Sequence, residues 1–153
     1  MSRAVQETTG VLLTGASSGI GRATALRIAG LGIPLVLTGR DPAPLSELAR
    51  ECRAAGAEAR PLALDVRDDE AVRGAVDAAA ADYGAGLAVV HSAAVVAYGL
   101  FEEVPAEVMT GVVTTDVLGT VSVARASLAA FRRTGGGHLW SSARCWARSP
   151  RPT

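Results

Sequence analysis

The stretch Thr14-Gly15-Ala16-Ser17-Ser18-Gly19-Ile20-Gly21 decides the fold of this chain. It follows the apolar run Val11 to Leu13 and precedes a helical pattern over residues 20–31, so a strand leads through a glycine turn into a helix. The first glycine allows a tight turn, the second allows close approach of an anion, and the third allows the helix to pack close to the strand. Free N–H groups and the helix dipole then favour an anion at this point, so the stretch predicts a phosphate site rather than an ordinary glycine-rich turn or linker.

Composition indicates one folded domain. The chain has 153 residues, of which 49% are hydrophobic and 20% charged, with a formal net charge of zero. This balance disfavours disorder and gives no sign of binding to nucleic acid or to an anionic membrane surface. All basic residues other than the two histidines are arginines, so any mechanism that needs a lysine is excluded for this sequence.

Three features predict a cytoplasmic protein. The polar residues 1–7 lack the apolar core of a secretory signal. The apolar stretch 86–101 is interrupted by His91 and Ser92 and is too short to span a bilayer. The two cysteines, Cys52 and Cys145, show no disulfide-framework spacing.

Apolar runs and helical patterns alternate along the chain. Strands are expected at residues 11–13, 33–38, 57–64, 86–90 and from 135, and helices at 20–31, 44–56, 68–83 and 101–133. Pro61 predicts an edge position for the third strand. Because parallel crossovers are right-handed, the alternation predicts an α/β doubly wound, three-layer parallel sheet of order 3-2-1-4-5, formed by residues 1–139. Residues 140–153 contain both tryptophans, follow neither period and are expected to be an irregular tail.

The glycine stretch, with Thr14 before it and the Ser-Ser pair inside it, resembles the short-chain dehydrogenase/reductase family over residues 9–139. The resemblance implies the Rossmann-type amino-terminal half of an oxidoreductase, which transfers a hydride between a nicotinamide cofactor and a small carbonyl or alcohol. It also implies that helix 105–133 supports homo-oligomerisation.

The residue after the second strand predicts which dinucleotide is bound. Arg40 offers a planar cation to a 2′-phosphate, whereas an acidic residue there would favour a free 2′-hydroxyl. The prediction is therefore NADP rather than NAD, with a solvated loop arginine as the alternative. An adenosyl sulfonium methyltransferase fits this arginine less well.

The resemblance extends to two further segments. Asp65 and Val66 match a pair that contacts adenine in the family, although Asp65 could instead, or in addition, cap the next helix. Residues 91–94 read His-Ser-Ala-Ala where the family has Asn-Asn-Ala-Gly, so only the third position is retained. The candidate cofactor-binding residues are Gly15, Ser17, Ser18, Gly19, Ile20, Gly21, Arg40, Asp65, Val66, Ser92, Ala93 and Ala94.

Two further polar residues have structural alternatives. His91 is interpreted as a hydrogen-bonded histidine at the end of a strand, because no cysteine or second histidine accompanies it as a metal ligand, and no metal site is predicted. Asp116 stands where the family has an Asn that holds a water of the proton relay. A solvated Asp on the helix face is the alternative reading.

The catalytic residues of the family are not matched. The resemblance calls for a Ser after the fifth strand and then a Tyr-x-x-x-Lys motif; Ser142 is the candidate for the serine, and neither Tyr83 nor Tyr98 fits the motif. The codons of residues 140–147, read one base earlier, can encode Val-Val-Gly-Ser-Val-Leu-Gly, which suggests a single-base frame change near Leu139. The expectation is a family member that is inactive as translated; the alternative is a non-catalytic dinucleotide-binding or dimerising fragment.

Overall fold

A computed structural model describes residues 7–142. They form a five-stranded, fully parallel sheet of order β3-β2-β1-β4-β5, which confirms the predicted topology. The strands are β1 (Gly10–Thr14), β2 (Leu35–Gly39), β3 (Ala59–Ala63), β4 (Leu87–His91) and β5 (His138–Ser141). The α-helices are α1 (Gly19–Ala29), α2 (Pro42–Ala54), α3 (Asp69–Tyr83), α4 (Ala106–Val113) and α5 (Gly119–Thr134), with 3-10 turns at Gly84–Gly86 and Phe101–Glu103 and a π-helical segment at Thr114–Leu118.

Helices cover both faces of the sheet. Successive residues of each inner strand point alternately to the two faces, and most of them are apolar on both faces, so each face needs a cover. One core cluster packs α1 and α2 against the sheet through residues such as Leu13, Leu37 and Leu48. The other packs α3 and α5 against the opposite face through Val76 and Val123, among others. The carboxyl ends of the strands are thereby held in fixed positions along one side of the sheet, which we call the carboxyl edge.

Capping residues set the starts of two helices. The Asp41 side chain accepts a hydrogen bond from the N–H of Ala43 at 3.0 Å, so α2 begins two residues before the predicted position. Asp68 caps α3 by accepting from the N–H groups of Glu70 and Ala71. The alternative interpretation, that Asp65 caps this helix, is therefore wrong.

The two outer strands of the described sheet differ from expectation in one respect. Pro61 lies in β3, and the position of that strand at the edge confirms the prediction. At the other edge, β5 continues through Trp140 and Ser141, which pair with Val90 and His91 of β4. Pairing with β4 thus extends β5 through residues 140 and 141, beyond the point where its apolar pattern stops. Residues 143–153 of the predicted tail lie outside the described residues.

Residues Ala106–Thr134 form a continuous helical segment of 29 residues, with the π-helical turn in its middle. By length and composition alone this segment could cross a membrane. Its inward residues Val123, Ala126 and Ala130 are buried in the second core cluster, which is where a core helix of a two-sided sheet packs. Its outward face carries a stripe of exposed apolar side chains at Val113, Val117, Leu118, Val121 and Leu128.

Candidate functional site: the glycine turn and the carboxyl ends of the strands

The glycine turn follows β1 in a conformation that side chains rarely adopt. Gly15 has φ +67°, and a Cβ there would lie 2.5 Å from the backbone N of Ala93. Gly19 also has positive φ, +50°, but apart from its chain neighbours and the backbone of its own helix, no heavy atom of the described residues lies within 4 Å of the Cβ position. One glycine is therefore required by close packing, and the other leaves open space beside the turn where an anion can approach the backbone.

The N-terminus of α1 opens at this turn. Ser18 is the N-cap in an extended conformation, and its side chain makes no cap hydrogen bond; the first turn of α1 has no acidic residue. The buried Gly21 lies against the carbonyl group of Gly15, so the helix packs directly on the turn. The first-turn N–H groups thus point to the open side without a competing carboxylate, which suits a phosphate.

Backbone hydrogen bonds join the strand ends around this turn. The N–H of Ala16 donates to the carbonyl of Thr38 in β2 at 3.0 Å, and the N–H of Ser92 donates to the carbonyl of Thr14 at 3.1 Å. The chain order reverses between β1 and β4, and in open α/β sheets ligands bind in the crevice at that switch point. The structure therefore brings together the glycine turn, the residue after β2 and the segment after β4, as predicted.

The segment after β2 presents one cation and one engaged carboxylate. Arg40 is exposed directly after β2, at the same edge as the glycine turn. Gly39 lies beside Ser17 of the turn, since a Cβ there would stand 3.4 Å from Ser17 Oγ. The carboxylate of Asp41 is bound to the start of α2, so the arginine is the charged side chain of this pair that remains available for a ligand.

Asp65 forms a local ion pair. Its carboxylate accepts hydrogen bonds from the backbone N–H of Arg67 at 2.9 Å and from the guanidinium of the same residue at 2.6 Å. Hydrogen bonding from Arg67 holds the pKa of Asp65 below its usual value, and Arg40 contributes a smaller electrostatic effect in the same direction. Asp65 is therefore ionised, two residues after the end of β3. Val66 is 5% exposed and packs against Gly119 of α5, where a Cβ would lie 2.8 Å from Val66 Cγ2.

His91 is buried at the end of β4 and is fully hydrogen-bonded. Its Nδ1 lies 2.7 Å from Thr14 Oγ1, and its Nε2 lies 2.9 Å from Thr120 Oγ1. Burial lowers the pKa of His91, while the charge of Asp116 opposes this shift. The interpretation as a satisfied strand-end histidine is confirmed. Within residues 7–142, no three His, Cys, Asp or Glu side chains converge in a way that could hold a metal ion.

Asp116 has a defined partner instead of a solvated position. Its Oδ1 accepts a hydrogen bond from the backbone N–H of Val95 at 2.9 Å, which joins the loop after β4 to the π-helical segment. The alternative of a solvated helix-face Asp is therefore wrong. Sequence reasoning missed the contact because the two residues are 21 positions apart and no pattern around Val95 signals it.

The two tyrosines and Ser142 lie at different places. Ser142 follows β5, where its N–H donates to the carbonyl of His91 at 2.9 Å, so it stands at the carboxyl edge. The ring of Tyr83 lies against Gly10, the first residue of β1, at the opposite edge of the sheet. Tyr98 is 91% exposed in the segment between β4 and α4. Among the described residues, neither phenol stands beside the glycine turn.

A parallel 3-2-1-4-5 sheet with a glycine turn at its switch point defines a Rossmann-type nucleotide-binding protein. The family model described as short chain dehydrogenase matches residues 9–141. The chain belongs to the short chain dehydrogenase family, which confirms the resemblance and decides against a methyltransferase.

Individual relatives support the same class. "Probable oxidoreductase EphD" of Mycobacterium tuberculosis is 38% identical over 130 residues, which cover 84% of this chain and 22% of that protein. Sulfoacetaldehyde reductase 2 of Chromohalobacter salexigens is 35% identical over 128 residues, covering 83% of this chain and 50% of that protein. The chain thus spans at most about half the length of these curated relatives.

Solved structures include relatives with either dinucleotide. A metagenomic short-chain oxidoreductase in complex with NADP has a TM-score of 0.78 and 29% identity, covering 88% of this chain and 62% of that chain. An NAD+-bound xylitol dehydrogenase has a TM-score of 0.81 and 30% identity, covering 89% of this chain and 53% of that chain. The family therefore includes oxidoreductases that bind NADP and oxidoreductases that bind NAD. Any preference of this chain for one dinucleotide has to be argued from its own residues.

Proposed function

We propose that this chain is the NADP-binding portion of a short-chain oxidoreductase that interconverts a small carbonyl compound and an alcohol. The observation that carries the proposal is the pairing of an uncapped, glycine-lined helix N-terminus with Arg40 at the end of β2. The bound dinucleotide would supply or accept the hydride. The pyrophosphate would be held by the backbone N–H groups of Gly19, Ile20 and Gly21.

Cofactor selectivity would come from Arg40. A guanidinium can form two parallel hydrogen bonds to the 2′-phosphate of NADP, a group that NAD lacks, whereas stacking on adenine is open to either dinucleotide. Asp41 would otherwise accept from a free ribose hydroxyl, but it caps α2. The ionised Asp65 and the buried Val66 would border the adenine, and Ser92, Ala93 and Ala94 would line the path toward the nicotinamide ribose.

Proton transfer to the developing alkoxide would need an acid that the described residues do not place at the site. Tyr83 lies at the far edge, the exposed Tyr98 is followed by no lysine, and Ser142 alone is a poor acid at neutral pH. We therefore propose that the polypeptide of residues 1–153 binds the dinucleotide without turning over a carbonyl substrate. A neighbouring reading frame that encodes Ser and then Tyr-x-x-x-Lys, found by resequencing the gene beyond codon 135, would support the frame-change hypothesis; its absence would remove that hypothesis.

Fluorescence titrations with NADPH and NADH test cofactor choice. The unmodified chain is expected to prefer NADPH, and Arg40→Ala is expected to weaken NADPH binding about 10- to 100-fold, since a hydrogen bond to a charged group contributes about 1.5–3 kcal/mol. NADH affinity should change little. Arg50→Ala removes the same charge from an exposed position on α2 and serves as the matched control. Equal affinities for both dinucleotides, or an unchanged NADPH affinity in Arg40→Ala, would refute the proposed selectivity.

Oligomerisation is a second part of the proposal. The exposed apolar stripe on α4, the π-helical segment and α5 is the kind of surface that a second copy of the chain covers in a homo-oligomer. Light scattering of the purified chain is expected to give a monodisperse oligomer, and Val117→Glu is expected to give monomers.

Measurable carbonyl turnover by the same preparation would contradict the non-catalytic part of the proposal. A cytoplasmic protein with no membrane or nucleic-acid partner remains our prediction, and fractionation of cells expressing it would test this.

A further inference from the structure

A row of buried polar side chains lies directly beneath the glycine turn. Thr38, Thr14 and His91 are adjacent across β2, β1 and β4, and each is at most 1% exposed. In their strands they alternate with the residues of the first core cluster, so they belong to the face covered by α3 and α5. His91 extends the row to α5 through Thr120, so one side chain touches both β1 and the long helix.

The hydrogen bonds assign the tautomer of His91. The hydroxyl of Thr120 donates its only hydrogen to the carbonyl of Asp116 at 2.6 Å. Its oxygen must therefore accept from His91 Nε2, which carries the proton. In the neutral ring Nδ1 is then an acceptor, and it receives the hydrogen of the Thr14 hydroxyl. The chain of bonds runs in one direction, from Thr14 through the imidazole and Thr120 to Asp116.

Protonation of Nδ1 would reverse the bond to Thr14. An Nδ1–H would point at Thr14 Oγ1, and the threonine hydroxyl would lose its acceptor in a site where the described residues offer it no other. Asp116 is the one charged side chain among the described residues whose field acts on the ring, and it favours the charged form. Burial outweighs it, and the pKa of His91 is lowered.

We propose that neutral His91 is a positioning residue that holds the glycine turn through Thr14, and that its protonation loosens this turn and weakens dinucleotide binding. Thr14 is the residue immediately before Gly15, and its carbonyl also accepts the N–H of Ser92. A shift of Thr14 therefore moves two sides of the crevice together. The effect on binding rests on the proposed function, whereas the tautomer and its effect on folding do not.

Ring nitrogen NMR tests the tautomer without any ligand. The two histidines are His91 and His138, and His138→Asn assigns the signals by removing one of them. The expected spectrum shows His91 protonated at Nε2 alone at neutral pH. An Nδ1–H tautomer, or a charged ring at pH 7, would overturn the inference.

NADPH titrations between pH 8 and pH 5 test the coupling. The chain itself and the control His138→Asn are expected to lose affinity below the pKa of His91, by at most about tenfold per pH unit. His91→Asn keeps an acceptor for Thr14 and does not titrate, so it should bind at neutral pH and lack this loss. The phosphate of NADPH titrates in the same way with every variant. The ratio of the affinity of the unmodified chain to that of His91→Asn at each pH therefore isolates the effect of the histidine. A ratio that is constant with pH would overturn the proposal.

The remaining outcomes separate this inference from the proposed function. His91→Leu removes both hydrogen bonds and is expected to bind NADPH at least tenfold more weakly at pH 7.5; binding equal to that of the unmodified chain would overturn the positioning role. If the unmodified chain fails to bind NADPH at pH 8, the proposed function fails, and urea unfolding without ligand decides the inference. Because the native pKa is lowered, the unfolding midpoint of the unmodified chain should fall between about pH 6.5 and about pH 5, whereas the midpoint of His91→Asn should change little over this range.

Discussion

Replacing Gly21 with alanine is expected to displace the glycine turn. The added Cβ would lie 2.8 Å from the carbonyl carbon of Gly15 and 3.2 Å from the Cα of Ala16. Carbon atoms in contact are normally about 3.5–4.0 Å apart, so either the turn or the start of α1 must move by about 1 Å. The obstacle is backbone, which cannot rotate away as a flexible side chain would.

The magnitude follows from two opposing contributions. Overpacking of this kind costs about 1–3 kcal/mol, and the change from glycine to alanine in a helix returns up to about 1 kcal/mol. We expect Gly21→Ala to lower the free energy of unfolding by about 1–2 kcal/mol, which is a fall in Tm of about 2–8 °C for a chain of this size. Gly74→Ala is the matched control, because Gly74 lies within α3 and, apart from its chain neighbours and the backbone of its own helix, no heavy atom of the described residues is within 4 Å of its Cβ position. It should raise stability by about 0.5–1 kcal/mol.

Thermal unfolding followed by circular dichroism measures the change in stability, and NADPH fluorescence titration measures the change in dinucleotide affinity. A turn displaced by about 1 Å presents its N–H groups to the pyrophosphate in the wrong positions, so we expect at least about a tenfold loss of affinity, or 1.4 kcal/mol. Gly74→Ala should bind as the unmodified chain does. The reasoning is refuted if Gly21→Ala matches Gly74→Ala in both Tm and affinity, because the close contact would then carry no cost.

Three further changes probe the surroundings of the site. Gly119→Ala should destabilise the chain by about 1 kcal/mol, since its Cβ would stand 2.8 Å from Val66 Cγ2, and denaturant unfolding of the double variant with Val66→Ala should recover part of the loss. Thr38→Val should leave stability unchanged or raise it by up to about 1 kcal/mol, because Thr38 Oγ1 is buried without a hydrogen-bond partner among the described residues; a marked loss in urea unfolding would contradict this. Asp65 has a lowered pKa through Arg67, so its stabilising contribution is present above its unfolded pKa of about 3.9 and is lost as pH falls through the lower native value. Asp65→Asn should lack that part of the acid dependence, and an acid-unfolding curve identical to that of the unmodified chain would count against the ion pair.

Local patterns were sufficient for the fold and for the backbone of the site. The glycine spacing, the apolar runs and the helical periodicity each describe a few consecutive residues, and such segments take up conformations that their own sterics and burial favour. Strand order then followed from the handedness of crossovers. The positions of Gly15, Arg40 and Ser92 at one edge were predictable for the same reason, since each directly follows a parallel strand.

Contacts between distant segments were not predictable in this way. Whether Asp41 or Asp65 caps a helix depends on where the chain turns, to within one or two residues, and sequence patterns do not set boundaries so finely. The sequence alone determined that β1 leads through a glycine turn into a helix and that the sheet is parallel. Only the tertiary structure decided that His91 joins Thr14 to Thr120 and that Asp116 holds Val95, because these pairs are 21 to 77 residues apart and meet only through strand register and helix packing.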